Sequence, residues 1–267
     1  MKSIAVFGGN GFLGRKLCEV GVRRGWSVTS FSRSGKAPKP LPGADSNWMK
    51  QVNWEKADLF DPASYREKLA GKSAIVHSVG ILFENTSYKK TLNLDFNPLK
   101  DMDKVCSTLK GPNPMERTPH NTYAAIQRDS ALLAADAFLE ENKESQDMSF
   151  VYISADSIPP VIIPEGYLTT KREAEYQLAR KKPLRSIFMR PGFMFDPNEG
   201  INLRLLLGKA INEPYSVLLK FSVFHNSPIG KLFRPAASTE QVANTMYEKL
   251  ENPEFSGVVS LEEIRKH

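Results

Sequence analysis

The sequence predicts an α/β fold with a doubly wound parallel sheet, and three observations predict it. The chain opens on a short apolar run that ends in clustered glycines and passes directly into a helix-like stretch. Strand-like and helix-like patterns then alternate as far as Arg190, which calls for parallel strands joined by right-handed crossovers. The length of 267 residues suits one such domain with an elaboration, and no internal repeat or linker divides it. The expected organisation is a single domain over 1–267, with 193–235 as a small inserted C-terminal lobe.

The first strand is Ile4-Ala5-Val6-Phe7, apolar throughout as a buried parallel strand should be. Gly8, Gly9, Gly11 and Gly14 follow, and Arg15 to Arg24 reads as a helix. Strand, glycine turn and helix is the context in which such a fingerprint has meaning. Gly8 permits the tight turn, Gly11 lets the backbone approach a pyrophosphate, and Gly14 lets the helix pack close to the sheet. The N–H groups and positive end of the helix then face the phosphates. Asn10, Phe12 and Leu13 fill the same turn and join the glycines as predicted cofactor-binding residues. The sheet is therefore expected to be of Rossmann type.

Ser27 to Ser32 reads as the second strand. In a dinucleotide-binding sheet its end meets the adenosine ribose, where an acidic side chain selects NAD and an arginine accommodates the 2′-phosphate of NADP. No acidic residue lies between Glu19 and Asp45, and the strand runs into Ser32-Arg33-Ser34-Gly35-Lys36. Arg33 can fork onto a phosphate while Ser32 and Ser34 donate to it. NADP(H) is therefore expected over NAD(H).

Residues 37–50 read as a Pro- and Gly-rich loop, and Val52 to Lys56 as the third strand. Asp58 and Leu59 follow, with Asp58 expected near the adenine. Pro62 opens a short helical stretch ending at Leu69. Ala74 to Gly80 is the fourth strand, whose small ending Ser78-Val79-Gly80 leaves room for a cofactor to cross it. His77 is expected to be a core histidine. Residues 83–121 show no regular pattern, and Gly111-Pro112-Asn113-Pro114 marks a turn. A helix capped by Asn121 or Thr122 is expected to run to about Asn142 and pack on the sheet. Ser149 to Ser154 is the fifth strand, Tyr167 to Lys181 a helix, and Arg185 to Arg190 the sixth strand, closed by Pro191-Gly192. Ser238 is expected to cap a helix to about Leu250, with Val258-Val259 as a last strand.

One pair carries chemistry. Tyr167 and Lys171 stand four apart, on one helical face. A neighbouring ammonium favours the phenolate of a tyrosine, and the lysine can also reach a ribose hydroxyl. Of the eight tyrosines, Tyr167 alone has lysine at this spacing, thirteen residues beyond Ser154. Ser154, at the end of the fifth strand, is placed to hydrogen-bond a substrate oxygen. Together Ser154, Tyr167 and Lys171 form a candidate proton donor or acceptor for hydride transfer at a carbonyl.

These motifs resemble those of the short-chain dehydrogenase/reductase superfamily, in its extended or atypical form. The resemblance is carried by Gly8-x-x-Gly11-x-x-Gly14, Asp58-Leu59, Ser154, Tyr167-x-x-x-Lys171 and Arg190-Pro191-Gly192, which span nearly the whole chain. It implies that Pro191 and Gly192, with Ser78 and Val79, border the cofactor. The chain is most similar to the atypical branch that contains the NAD(P)H-binding accessory subunit of respiratory complex I. More narrowly, VFGGNGFLG, SRSGKAP, GPNP, YISAD, TKREAE and RPGFMFD resemble fungal mitochondrial proteins of ubiquinone biosynthesis. That resemblance implies an NADP-binding protein at the matrix face of the inner membrane, working with subunits of the ubiquinone-synthesis complex. The superfamily's relay asparagine is replaced, with Gln127 or Asp129 near its place. The branch also includes members that bind nucleotide without known turnover, so a non-catalytic assembly or regulatory subunit is the alternative.

Composition narrows the partners. The net charge of +6 favours anionic ones. No basic motif interleaved with aromatics points to nucleic acid, and none is expected as a ligand. No apolar run approaches the ~20 residues that cross a bilayer. The first strand begins too early for a signal or transit peptide in this sequence. Cys18 and Cys106 form no disulfide pattern, and no metal site is expected. From 201 to 235 the chain is rich in Leu and Phe, with Arg204, Lys209, Lys220, Lys231 and Arg234 against Glu213 alone. Such a segment can line a cavity for a lipid-like substrate or lie on an anionic membrane.

Overall fold

The computed structural model describes residues 2–41, 43, 45–81, 122–145, 147–156, 165–198 and 234–267. Seven parallel strands form the central sheet. They are β1 (Ser3–Phe7), β2 (Ser27–Ser32), β3 (Val52–Lys56), β4 (Ala74–His77), β5 (Ser149–Ile153), β6 (Arg185–Met189) and β9 (Gly257–Val259). Their order is β3-β2-β1-β4-β5-β6-β9, with every neighbouring pair parallel. The winding reverses between β1 and β4, and a crevice at such a switch point is where open α/β sheets bind ligands. A second, two-stranded parallel pair joins β7 (Met194–Phe195) to β8 (Ala237–Ser238).

Strand alternation sends side chains to two cores. Ile4, Val6, Val28, Val76, Val151 and Ile187 face one side and meet helices α1 (Phe12–Arg23) and α4 (Thr239–Glu251). Ala5, Phe7, Phe31, Ile75, Phe150 and Tyr152 face the other. There they meet α2 (Ser130–Glu141) and α3 (Glu165–Ala179). Helices cover both faces, so the inner strands β1, β4 and β5 read as near-continuous apolar runs, and each large buried side chain contributes ~1.5–3 kcal/mol. Gly21 lets α1 lie against α4: a Cβ there would overlap the Tyr247 hydroxyl, which donates to the Leu17 carbonyl at 3.0 Å.

Ser238 caps α4 through a capping box with Gln241, as the sequence predicts. Three expectations are corrected, and one element is added. β4 stops at His77, because Ser78 turns its backbone and hydroxyl onto the Phe7 carbonyl, where Gly80 was the predicted end. Asn47–Gln51 forms a 3-10 turn inside the predicted loop, held by the Trp54 indole donating to the Met49 carbonyl at 2.9 Å. The predicted helix from 122 begins as a π-helix over Ala124–Asp129. A short helix α5 (Leu261–Ile264), capped by Ser260 with Glu263, packs beyond β9. Expectations for 83–121, including Cys106 and the Gly111–Pro114 turn, lie outside the described residues, as does 199–233 of the predicted lobe. No described helix is long and apolar enough to cross a membrane.

Candidate functional site

The glycine turn joins the end of β1 to the start of α1. Gly8 adopts φ +86°, a conformation glycine reaches without penalty. A Cβ on Gly14 would overlap the Gly8 carbonyl oxygen, and one on Gly9 would press on Cys18 Sγ at 2.8 Å and on Ser30. At Gly11 such an atom meets only the Gly8 carbonyl, at 3.1 Å. Gly9 and Gly14 therefore allow the turn to be tight, while Gly11 presents backbone outward. No side chain caps α1, and its first turn carries no acidic residue. That is the donor set and polarity a pyrophosphate requires. Ser78 and Val79 abut this turn, 3.1 and 2.9 Å from a Cβ at Gly8.

The end of β2 lies beside it. The Asn10 amide donates to the Ser34 hydroxyl at 3.1 Å, and Ser34 lies 3.4 Å from the Ser32 hydroxyl. Arg33 is exposed and has no ion-pair partner among the described residues. Asp58 is turned into its own loop: its carboxylate accepts from the Phe60 N–H at 3.0 Å. Leu59 packs against the core, and its carbonyl accepts from the Tyr65 hydroxyl at 3.4 Å.

At the other side of the switch point, Lys171 is buried at 3% exposure. Its ammonium donates to the Ile153 carbonyl at 2.8 Å and lies 5.5 Å from the Tyr167 ring centroid and 5.1 Å from that of Tyr152. It stands 3.8 Å from where a Cβ would sit on Gly80, so helix α3 delivers the lysine to the exit of β4. Tyr167 also packs edge-on against Tyr123, with ring centroids 5.9 Å apart. Burial pulls the Lys171 ammonium down to about 7, with Glu175 opposing and Arg172 reinforcing the shift. The predicted Tyr–Lys pair is thus assembled at the same sheet edge as the glycine turn.

Ser154 faces different company. Its hydroxyl accepts from Arg172 Nη1 at 3.0 Å, and Arg172 Nη1 also donates to Glu175 at 2.7 Å. Arg172 also donates to the Ala155 carbonyl at 2.7 Å, and Arg190 Nε donates to Glu175 at 3.0 Å. Burial pushes the Glu175 carboxyl up, but Arg190, Ser154 and Arg172 together hold it below the usual carboxylate range. Pro191 is buried, with its carbonyl accepting from Asp156 N–H at 2.8 Å. A Cβ on Gly192 would lie 3.1 Å from Leu261.

Sequence reasoning gave no role to this Arg172–Glu175–Arg190 network, although Arg172 and Glu175 stand three apart on one helical face. Behind the pair, Gln127 in the π-helix donates to the Ile81 carbonyl at 3.0 Å, while its buried Oε1 has no hydrogen-bond partner among the described residues. Its backbone carbonyl accepts from the Tyr152 hydroxyl at 2.8 Å. His77 is buried, stacked on Tyr152, and its Nε2 lies 2.9 Å from Ser130 Oγ. Burial, helped by Lys171, pushes the imidazole down to about 3, so it stays neutral, as a core histidine should. A 590 Å³ cavity lined by Lys16, Arg23, Phe195, Glu240, Gln241 and His267 lies elsewhere, between α1 and α4.

Comparison with known proteins agrees with this construction. Residues 4–96 match the NAD dependent epimerase/dehydratase family, a description that implies a nicotinamide cofactor. The chain is 42% identical to MIOREX complex component 2 of Saccharomyces cerevisiae, over 98% of both chains. The chain belongs to the MIOREX complex component 2 family.

Solved structures place this family member among short-chain dehydrogenases by fold. A short-chain dehydrogenase/reductase from Burkholderia thailandensis is 12% identical at a TM-score of 0.61, over 96% of this chain and 89% of that one. ElxO with NADPH bound is 16% identical at 0.59, over 97% and 96%. A Leptospira borgpetersenii short chain dehydrogenase with bound NAD+ is 12% identical at 0.59, over 98% and 92%. One of these neighbours holds a nucleotide that carries a 2′-phosphate and one a nucleotide that lacks it.

Proposed function

We propose that this protein binds NADP(H) at the β1–β4 switch point and serves as a short-chain reductase in mitochondrial ubiquinone biosynthesis. Gly8, Asn10, Gly11, Phe12, Leu13 and Gly14 would hold the pyrophosphate. Ser32, Arg33 and Ser34 would hold the 2′-phosphate, Asp58 and Leu59 would border the adenine, and Ser78, Val79, Pro191 and Gly192 would border the nicotinamide half. The cofactor supplies hydride chemistry when bound. Tyr167 is the proton donor or acceptor at a substrate oxygen, and Lys171 tunes it and holds a ribose hydroxyl. The substrate class is a quinone or polyprenylated ring intermediate. Residues 193–235, mostly outside those described, would provide an apolar entry or a peripheral contact with the matrix face of the inner membrane. Partners are subunits of the ubiquinone-synthesis complex, in keeping with a relative named as a complex component.

The observation that carries the catalytic part is the delivery of Lys171, with Tyr167 beside it, to Gly80 at the exit of β4. Tyr167→Phe tests it: nucleotide binding is retained while ubiquinone output of cells or purified complex falls. Full output from that variant overturns the role.

A second reading has its own support. Ser154, the expected partner of a substrate oxygen, has its hydroxyl engaged by Arg172. This favours a nucleotide-binding assembly or regulatory subunit, stabilised by NADP(H) through mass action. Loss of complex integrity on Gly11 or Arg33 substitution, with Tyr167→Phe harmless, would select it.

A further inference from the structure

The structure surrounds the end of β2 with more positive charge than Arg33 alone. Lys36 follows two residues after Ser34, and its backbone N–H donates to the Ser34 hydroxyl at 3.3 Å. Lys56 ends β3 and is the register partner of Ser32. The two strand ends are pressed together by Gly35, which adopts φ +62° and would place a Cβ 2.8 Å from that of Lys56. Gly35 N–H in turn donates to the Ser32 hydroxyl at 3.1 Å. Lys56 is thereby anchored beside the hydroxyl network of Asn10, Ser34 and Ser32, although it lies more than twenty residues away in sequence.

Arg33, Lys36 and Lys56 are exposed, and none forms an ion pair among the described residues. The neighbouring carboxylates are otherwise engaged. Glu55 pairs with Lys68 at 2.7 Å, Asp58 accepts from Phe60 N–H, and Asp45 accepts from Asn47 N–H at 2.9 Å. Some exposed cations elsewhere are paired, as Arg66 is with Glu140 and Arg24 with Glu251. Three cations without an ion-pair partner among the described residues, set around hydroxyl and backbone donors, suit a dianion and raise its local concentration.

We infer that Lys56, delivered from the neighbouring strand, is a second specificity-determining cation for the 2′-phosphate, closing on it opposite Arg33. The inference rests on the NADP(H) reading above and adds a residue that no β2 motif contains. It separates affinity for NADPH from affinity for NADH, because only the former carries the group that Lys56 meets.

The test is a fluorescence titration of the full-length chain with NADPH and with NADH at low and high ionic strength. The variants are Lys56→Gln, Lys56→Arg and Arg33→Gln, with Lys266→Gln as an exposed control. Lys56→Gln is expected to weaken NADPH binding about 3- to 10-fold at low salt, the range of one partly screened charge contact, and to leave NADH unchanged. Lys56→Arg is expected to retain most of the affinity, and the loss in Lys56→Gln to shrink as salt is added. NADPH binding unchanged in Lys56→Gln, or both nucleotides weakened alike, overturns the role of Lys56. A wild-type chain that binds NADH as tightly as NADPH overturns the 2′-phosphate reading itself, with Lys56 along with it. Because Lys56 is exposed, its variants should melt with the wild type, and binding is compared only between folded samples.

Discussion

Replacing Lys171 by methionine isolates the cost of burying an ammonium beside Tyr167. Burial pulls Lys171 from its ordinary 10.5 to about 7. At ~1.4 kcal/mol per pH unit this difference amounts to roughly 5 kcal/mol, an order-of-magnitude figure. The sign follows from proton counting. The folded value lies below the unfolded one, so between about 7 and 10.5 the unfolded chain binds a proton that the folded chain lacks. Stability therefore rises with pH across that window, and the burial penalty is fully present below it. Methionine fills a similar volume and carries no proton. The hydrogen bond to the Ile153 carbonyl is lost in the variant, but at a cost that does not vary with pH. The imidazole of His77 is already neutral in the folded protein above neutrality, so it contributes alike to both chains. Urea unfolding followed by circular dichroism should show the wild type gaining on Lys171→Met by ~2 kcal/mol between roughly pH 7 and pH 9. Parallel stability curves across that range would refute the account, and with it the claim that Lys171 sits dry at the strand exit.

Other perturbations separate the parts of the site. Gly14→Ala forces a methyl into the Gly8 carbonyl and should abolish nucleotide binding, with several kcal/mol of lost stability; a titration and a thermal melt read both. Ser154→Ala removes one partner of Arg172, which keeps Glu175 and the Ala155 carbonyl, and should cost ~1 kcal/mol, while nucleotide affinity holds within about twofold. A large loss of affinity in that variant would place Ser154 at the ligand instead. Gly21→Ala should lower the melting temperature by driving α1 off Tyr247, yet spare the nucleotide preference, since the contact lies on the far side of the helix from the phosphates.

The sheet was legible because its signals are local. The inner strands are buried on both faces, so β1, β2, β5 and β6 announce themselves as short, largely apolar or β-branched runs between turn residues. The glycine turn was legible for the same reason, since three steric demands fall on residues three apart. The errors fall where nonlocal contacts decide. β4 ends early because Ser78 finds the Phe7 carbonyl, on a strand seventy residues away. The π-helix at Ala124–Asp129 has no propensity signature; it accompanies a buried Gln127 that reaches Ile81 and receives Tyr152. A π-turn inserts one residue and redirects the helix, and such turns cluster at functional sites.

Ser154 shows most clearly how spacing and environment differ as sources of inference. Its distance from Tyr167 and its place at the end of β5 identify it as a strand-end hydroxyl facing α3. What spacing could not show is that α3 carries Arg172 and Glu175 as well as Tyr167 and Lys171. One face of the helix brings the lysine to Gly80, and the next residue brings a guanidinium to Ser154. Glu175 lies one turn on, clamped between Arg172 and Arg190 at 5% exposure. Removing one partner from a buried charge cluster costs more than the cluster contributes, because an uncompensated charge is left behind. The network therefore fixes the register of α3 against β5 and β6. Arg172 is next to Lys171 in sequence, so the same network holds the stretch of α3 that carries Tyr167 and Lys171 against β5.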